Sequence, residues 1–428
     1  MKYNTQNKKI ASITEKTLVV GIDVGSQVHY ARAFDWRNFE YSRKAFAFSN
    51  DEEGFMAFKN WMNEIAEKHQ KEVIIPGMEP TGHYWFSLGA FLQNNGMRVV
   101  HVNPHHVKKS KELDDNNPNK NDRKDPKTIA ALVNEGRFSY PYIPTGIYAE
   151  IRNLSNLRFQ TQEEITRIKN RLARWFSIYF PEYKDVYGNL DAVSGMMILK
   201  EAPLPADIVK LGVEGINKIW RDAKLRAVGM KRAKTLVNKA EHSIGSHEAE
   251  EAARVELGIL LNDYEMYNLR MEELMKTIEE KLQEIPYIDK LMEIKGIGMI
   301  TICGFIAEVG DIRRFDNPKQ LQKLAGYAIV SNDSGKHNGE SHISYRGRKR
   351  LRYVLYEAAI SLIGKNPEFK EVHNYYLTRD KNPLKKMQSV IAVACKVIRV
   401  FYMMLTKGIS YDGAKMLNDI KRPELAMI

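Results

Sequence analysis

The chain has little cysteine, two residues in 428, and Cys303 and Cys395 lie far apart with no CxxC pair. That excludes a zinc ribbon or a disulfide framework and fits a reducing compartment, with both thiols expected to be buried and inert. Long apolar runs are missing too. The most apolar stretch, residues 391–405, is interrupted by Lys396 and Arg399 and falls short of the ~20 residues a membrane span needs, so it reads as a packed helix. The opening MKYNTQNKKIASITEK has no apolar h-region, so no secretory signal and a cytoplasmic protein are expected. Acids are the scarcer charge: 53 Asp and Glu against 65 Lys and Arg leave a net charge of +12. The excess favours a polyanionic partner, nucleic acid first and an anionic membrane second.

What is present reads as three regions, residues 1–140, 147–290 and 291–428. In the first, TLVVGIDV, HYARAFDW and a run around EYSRKAFAF are strand-like and joined by short polar breaks, as in a meander. An amphipathic helix over residues 51–69 follows. Then come EVIIPGME as a buried strand, HYWFSLGAFLQNN as a helix, MRVVHVNP as a strand, and a helix starting near Asp122. Three antiparallel strands followed by alternating helix and strand give the order of an α/β RNase H-like fold. Residues 105–127, dense in Lys, Asn, Asp and Pro without apolar periodicity, are expected to form a loop.

The middle region is helical. Leu154, Thr161, Ile165, Ile168, Leu172, Trp175 and Tyr179 share one stripe, with Arg158, Arg167, Lys169, Arg171 and Arg174 on the other faces, and Pro181 ends the helix. Leu257, Leu261, Tyr264, Asn268, Met271, Met275, Ile278, Leu282 and Ile285 then step by four and three in a coiled-coil heptad seam, with Asn268 on an a position. The seam fits either self-association or packing against the earlier helix within one chain.

Four acids have the pattern of a metal site. Asp23 ends one buried strand, Glu79 ends a second, and a parallel relation would bring both to one edge of the sheet. Asp122 and Asp125, three apart at a helix start, share a face. Four such oxygen ligands can hold two Mg²⁺ ions for in-line phosphoryl displacement. Asp122 and Asp125 also suit a helix cap, and Asp23 a turn. His101, His105 and His106 have no ligand spacing and read as structural or phosphate-facing.

The third region opens with EIKGIGMITICGFIAEVG, in which Gly296 and Gly298 resemble a helix-hairpin-helix whose amides can take a phosphate. Arg313, Arg314, Lys319, Lys323, Lys336, Arg346, Arg348, Lys349, Arg350 and Arg352 follow, interleaved with Gly335, Gly339 and Gly347. That mixture points to contact with a phosphate chain. Ser334, between Asp333 and Gly335, reads on its own as a turn residue.

Taken together, GIDVGSQVHY, MEPTGHYW and NDRKDPKTIA resemble the RuvC-like tetrad of the DEDD-type insertion-sequence transposases, also described as bridge-RNA-guided recombinases and similar to the pilin-gene invertases. IKGIGMITICGFIAEVGDIRRF, QLQKLAGYA and SGKHNGESHISYRGRKRLRYVLYEAA are similar to the C-terminal transposase domain of that family, so the resemblance covers nearly the whole chain. It implies Mg²⁺ at Asp23, Glu79, Asp122 and Asp125, and Ser334 as the nucleophile that joins a DNA 5′ phosphate. It further implies a structured noncoding guide RNA whose pairing reads sequence while the protein reads backbone, and a homo-oligomer, dimer or tetramer. The chain departs from the family pattern at Pro126, which a first helical turn tolerates, and in Tyr345-Arg346-Gly347-Arg348. Three other readings stay open: a Holliday-junction-type metal nuclease without serine chemistry, an actin-like sugar kinase suggested by GIDVGS, and a non-catalytic nucleic-acid binder.

Overall fold

A computed structural model describes residues 2–80, 82–114, 125–330 and 341–421. They form two compact units, residues 1–143 and 144–428. In the first, helix α1 (Lys2–Ala11) precedes strands β1 (Thr17–Asp23), β2 (Val28–Phe34) and β3 (Phe46–Ser49), helix α2 (Glu52–Lys68), and strand β4 (Val73–Met78). Helix α3 (Trp85–Asn94), strand β5 (Val100–Val102), helices α4 (Pro104–Asp114) and α5 (Asp125–Asn134), and strand β6 (Phe138–Ser139) complete it.

The six strands make one sheet in the order β3-β2-β1-β4-β5-β6. β1 pairs antiparallel with β2 and parallel with β4, which pairs parallel with β5, while β6 closes the edge antiparallel. This mixed sheet, meander first and parallel crossovers after, is the arrangement the sequence pattern predicts. β1 is apolar from Leu18 to Ile22 because both of its faces are covered there. Leu18, Val20 and Ile22 pack with Phe58 and Met62 of α2 and Leu88 and Leu92 of α3, while Val19 packs with Ile129, Ala130 and Val133 of α5. α2 forms where expected. Asp51 caps it, its carboxylate accepting from the Gly54 amide at 2.7 Å, and Phe55, Phe58, Met62 and Ala66 recur at helical spacing on its buried face.

Part of the predicted loop is helical. α4 runs from Pro104 to Asp114, with Pro104 opening the helix, where its missing N–H costs nothing. Among the residues of α4 whose burial is described, Val107 is the buried one, 1% exposed. The sequence PHHVKKSKELD places its two apolar residues, Val107 and Leu113, six apart, which is no helical period. The helix expected near Asp122 is described from Asp125 on; Asp122 lies outside the described residues.

The second unit is helical apart from a small hairpin. It comprises α6 (Ile147–Tyr179), α7 (Tyr183–Val186), α8 (Val193–Glu201), α9 (Pro205–Asp222), α10 (Met230–Glu241), α11 (Glu250–Gln283), α12 (Ile288–Met292), α13 (Met299–Val309) and α14 (Pro318–Ala325). Strands β7 (Ile329–Val330) and β8 (His342–Ile343) follow, then α15 (Lys349–Lys365), α16 (Pro367–Thr378), α17 (Lys386–Lys407) and α18 (Gly413–Lys421). α6 and α11 pack along one another, which is the intrachain reading of the heptad seam. Leu257, Leu261, Ile278 and Leu282 are buried as the seam requires, whereas Asn268 is half-buried and donates to the Tyr264 carbonyl at 2.7 Å.

Two cores hang on this helix pair. One gathers Leu172, Trp175 and Phe176 of α6 with Trp220, Leu236, Leu257 and Leu260; the other gathers Ile151, Ile278, Phe305, Leu355 and Phe401. The apolar segment at 391–405 lies in α17, the packed helix expected. The full 22-residue helix is nevertheless long and apolar enough to meet the composition of a span, because it extends beyond that segment at both ends. Its buried face, including Lys396, sits in the second core. Cys303 is buried and Cys395 only half-buried, a correction to the expectation for both; desolvation pushes each thiol up to about 11, so both stay protonated at neutral pH.

One residue of the α6 stripe was misassigned. Arg158, placed by sequence on a polar face, is 8% exposed. It falls in step with Ile151, Ser155, Thr161 and Ile165, all of which are buried.

Candidate active site and nucleic-acid interface

β1 and β4 run parallel with Ile22 opposite Met78. The next pair in register is therefore Asp23 and Glu79, at the carboxyl ends of adjacent strands. Alternation fixes their side. Gly21 and Gly77, two residues earlier in each strand, face α5: a Cβ on Gly21 would stand 1.8 Å from the Pro126 carbonyl oxygen, and one on Gly77 2.6 Å from Val133 Cγ2. With a period of two, Asp23 and Glu79 belong to that same face. The absence of a side chain at Gly21 lets the first turn of α5 lie directly on β1. Asp125, the first residue of α5, is 8% exposed there and ion-paired with Lys111 of α4.

The fold thus brings Asp23, Glu79 and Asp125 to one end and one face of the sheet. Among the described residues it does not close three metal-ligating side chains around a common point. The donor set is all carboxylate oxygen, which suits a hard cation such as Mg²⁺. A carboxylate as buried as Asp125 needs a positive partner, and Lys111 supplies one. These residues fit the metal that the acids imply.

Two histidines support the strands beside the site. His29 of β2 accepts from the Gly25 amide through Nδ1 at 3.2 Å and so pins the turn that follows Asp23. Its ring packs near Phe48 and Phe55, and burial lowers its pKa. His101 meets Trp85 edge-on at 4.2 Å; desolvation holds it neutral, with a pKa of about 4, in the structural role the sequence allowed. His105 and His106 are exposed in the first turn of α4. Sequence reasoning missed His29 and Lys111. The first shows only as a polar residue on the apolar face of a strand, the second only once α4 is known to be a helix.

In the second unit, residues 331–340, with Ser334 and Lys336, lie outside the described residues. The flanking strands β7 and β8 pair Ile329 with Ile343 and Val330 with His342. The base of this hairpin is stapled. The Arg348 amide donates to Leu324 O at 2.7 Å, Arg352 Nη1 to Ala325 O at 3.0 Å and Tyr345 O at 3.2 Å, and Ser344 Oγ to Gly326 O at 3.2 Å. Gly347 is required at this closure, since its Cβ would stand 2.4 Å from the Gly326 nitrogen. The basic residues divide accordingly. Arg352 is engaged by carbonyls and Arg348 by Glu308 at 3.2 Å, whereas Arg346, Lys349 and Arg350 are exposed. Gly296, with φ +104°, and Gly298 form the turn between α12 and α13, and Ser361 Oγ ties the Gly296 carbonyl to α15 at 2.7 Å. On α6, Arg167 pairs with Glu164 and Arg171 is exposed.

A mixed sheet of this order, followed by helices and with acids at the parallel strand ends and the start of α5, is the arrangement of an RNase H-like domain. Residues 20–181 match the DEDD transposase family of IS110, and residues 288–374 match the family described as Transposase IS116/IS110/IS902; the two matches together span more than half of the chain. The chain is similar to the 44.8 kDa protein of insertion element IS116 from Streptomyces clavuligerus, 25% identical over 90% of this chain and 94% of that one. It is also similar to the 42 kDa protein of insertion element IS900 from Mycobacterium paratuberculosis, 23% identical over 68% of this chain and 73% of that one. A third similar protein is the transposase for insertion sequence element IS1111A of Coxiella burnetii, 24% identical over 33% of this chain and 40% of that one. The chain belongs to the DEDD-type insertion-sequence transposases, the IS110/IS116 family, and is a DNA-acting enzyme.

Proposed function

We propose that the protein excises and inserts an insertion-sequence element, using Asp23, Glu79, Asp122 and Asp125 as Mg²⁺ ligands and Ser334 as nucleophile. The observation that carries this reading is the in-register placement of Asp23 and Glu79 on the face where Gly21 seats the first turn of α5 and its buried Asp125. Two bound Mg²⁺ ions would lower the barrier to in-line displacement at phosphorus by stabilising the attacking and leaving oxygens. The acids hold and orient that charge. Ser334 Oγ attacks a backbone phosphorus, the Oγ–P bond forms as the P–O3′ bond breaks, and the serine proton passes through solvent to the departing 3′ oxygen. The phosphoserine keeps the 5′ phosphate activated, so a second 3′-hydroxyl can displace the serine and seal a new junction without an external energy source.

The exposed bases Arg346, Lys349 and Arg350, together with Lys336, Gly296, Gly298, Arg167 and Arg171, then contact nucleic-acid backbone. A noncoding guide RNA supplies sequence recognition, and protomers associate so that the acids of one meet the serine of another. The gene placed in its native flanking DNA in cells tests the chemistry. Wild type should yield the circular junction of the excised element by PCR and sequencing, and Ser334→Ala and Asp23→Asn should both lose it. A junction that persists in Ser334→Ala refutes the serine step and leaves a metal-only nuclease.

A further inference from the structure

Arg158 is charged, 8% exposed, and sits on the buried stripe of α6, yet among the described residues no carboxylate pairs with it. Its guanidinium lies 4.9 Å from the centre of the Phe159 ring, and the guanidinium of Arg350, from the first turn of α15, lies 5.0 Å from the centre of the same ring. Two like charges therefore attend one aromatic ring. Arg350 donates to the Asn156 side chain of α6, a neutral partner. Nearby arginines differ in this respect: Arg152 donates to the Ala307 carbonyl at 2.7 Å, and Arg348 is paired with Glu308.

The start of α15 repeats the imbalance. No side chain caps it, and Lys349, Arg350 and Arg352 crowd its first turns with positive charge where the helix dipole is already positive. Burial lowers the Arg158 pKa, opposed by the Cys303 thiol and by the hydroxyl of Tyr353, which lies one turn on in α15 and is 54% exposed. None of the Arg158 nitrogens is among the buried atoms that lack a partner, so its stem is buried while the guanidinium tip reaches solvent, and the basic start of α15 stands against its own helix dipole. One tetrahedral anion suits both, accepting from guanidinium forks and from helix amides.

We propose that Arg158 and Arg350, with the N-terminus of α15, form a binding site for one backbone phosphate of nucleic acid. The inference rests on the nucleic-acid role proposed above and adds to it the particular phosphate seat. It lies at the helix that follows the hairpin flanking Ser334, so a strand gripped there is held at the element leading out of the serine segment.

Full-length protein is titrated by fluorescence anisotropy into a labelled duplex DNA oligonucleotide and, separately, a labelled RNA hairpin, each across a salt series and with inorganic phosphate as competitor. Arg158→Met and Arg350→Gln should each weaken binding roughly tenfold and flatten the slope of log K against log salt by about 0.9 for a duplex. Arg158→Met, which removes the charged tip while keeping an apolar stem in the buried stripe, should melt no lower than wild type. Loss confined to one probe assigns the phosphate to DNA or to RNA. Wild-type affinity and slope in Arg350→Gln, an exposed position that folding tolerates, overturns the proposal; so does an Arg158→Met protein that melts lower and binds normally. Lost binding in these variants with no element junction from wild type would leave the phosphate seat standing and refute the excision reading instead.

Discussion

Gly21→Ala is the most direct test of how the site is built. The added Cβ would stand 1.8 Å from the Pro126 carbonyl oxygen, 2.7 Å from the Pro126 carbonyl carbon and 3.0 Å from the Ala130 nitrogen. All three are backbone atoms, so no side chain can swing aside. Ordinary contact begins at 3.4 Å, and the first turn of α5 must therefore back away by roughly 1.6 Å in an interior that is close-packed. Overpacking of this kind costs about 1–3 kcal/mol. The effect on the proposed chemistry is separate, because Asp125, a metal ligand in that proposal, is carried on that turn, and a displacement of about 1 Å at such a group can cost ~100-fold. Quantitative PCR of the circular junction, alongside urea unfolding, separates the two effects. The expected result is a lower unfolding midpoint and a junction reduced at least ~100-fold, with Gly188→Ala, where a Cβ meets nothing within 4 Å, as the unaffected control. Wild-type junction yield in Gly21→Ala would refute the claim that contact between α5 and β1 sets the position of Asp125.

Two other outcomes follow from local structure. Gly258→Ala lies inside α11 with open space around it, so it should raise stability by about 0.5–1 kcal/mol in urea unfolding, through the better helix propensity of alanine. His101, with its pKa lowered to about 4, is neutral in the folded protein while the unfolded chain takes up a proton near 6.5. Stability is therefore full above that range and falls as pH drops from 6.5 towards 4, by up to roughly 3 kcal/mol. His101→Phe should flatten this acid limb in urea midpoints measured against pH.

The sheet of the first unit was legible because its strands are short, apolar and punctuated by polar turns, and because a parallel pair of strand ends makes an edge where Asp23 and Glu79 can meet. α4 was not, since its apolar residues, Val107 and Leu113, stand six apart and give no helical period. The two-residue β6 was not, since Phe138 and Ser139 carry no alternation. Residues 183–241 form four helices built around Trp220 and Tyr183, a small core whose rings come from separate elements and so leave no single stripe. Arg158 was misread for a sharper reason: hydrophobic periodicity scores an arginine as surface even when its position is in phase with the buried stripe. The acids were recognised from type and spacing, but the shared face that joins Asp125 to the strand ends depends on Gly21, and a lone glycine in an apolar strand announces nothing about what presses on it.

The helix pair α6 and α11 also orders the making of the protein. The smaller core of the second unit draws on residues between Ile168 and Leu261, whereas the larger one needs Ile151 at one end and Leu417 at the other. On a ribosome adding about 5–20 residues each second, the smaller core has all its parts many seconds before the larger. Through that interval the start of α6 and the end of α11 display apolar side chains whose partners do not yet exist. A message cut between the codons for Leu261 and those for α17 yields a chain with every residue of the smaller core and a larger core that lacks its last helices.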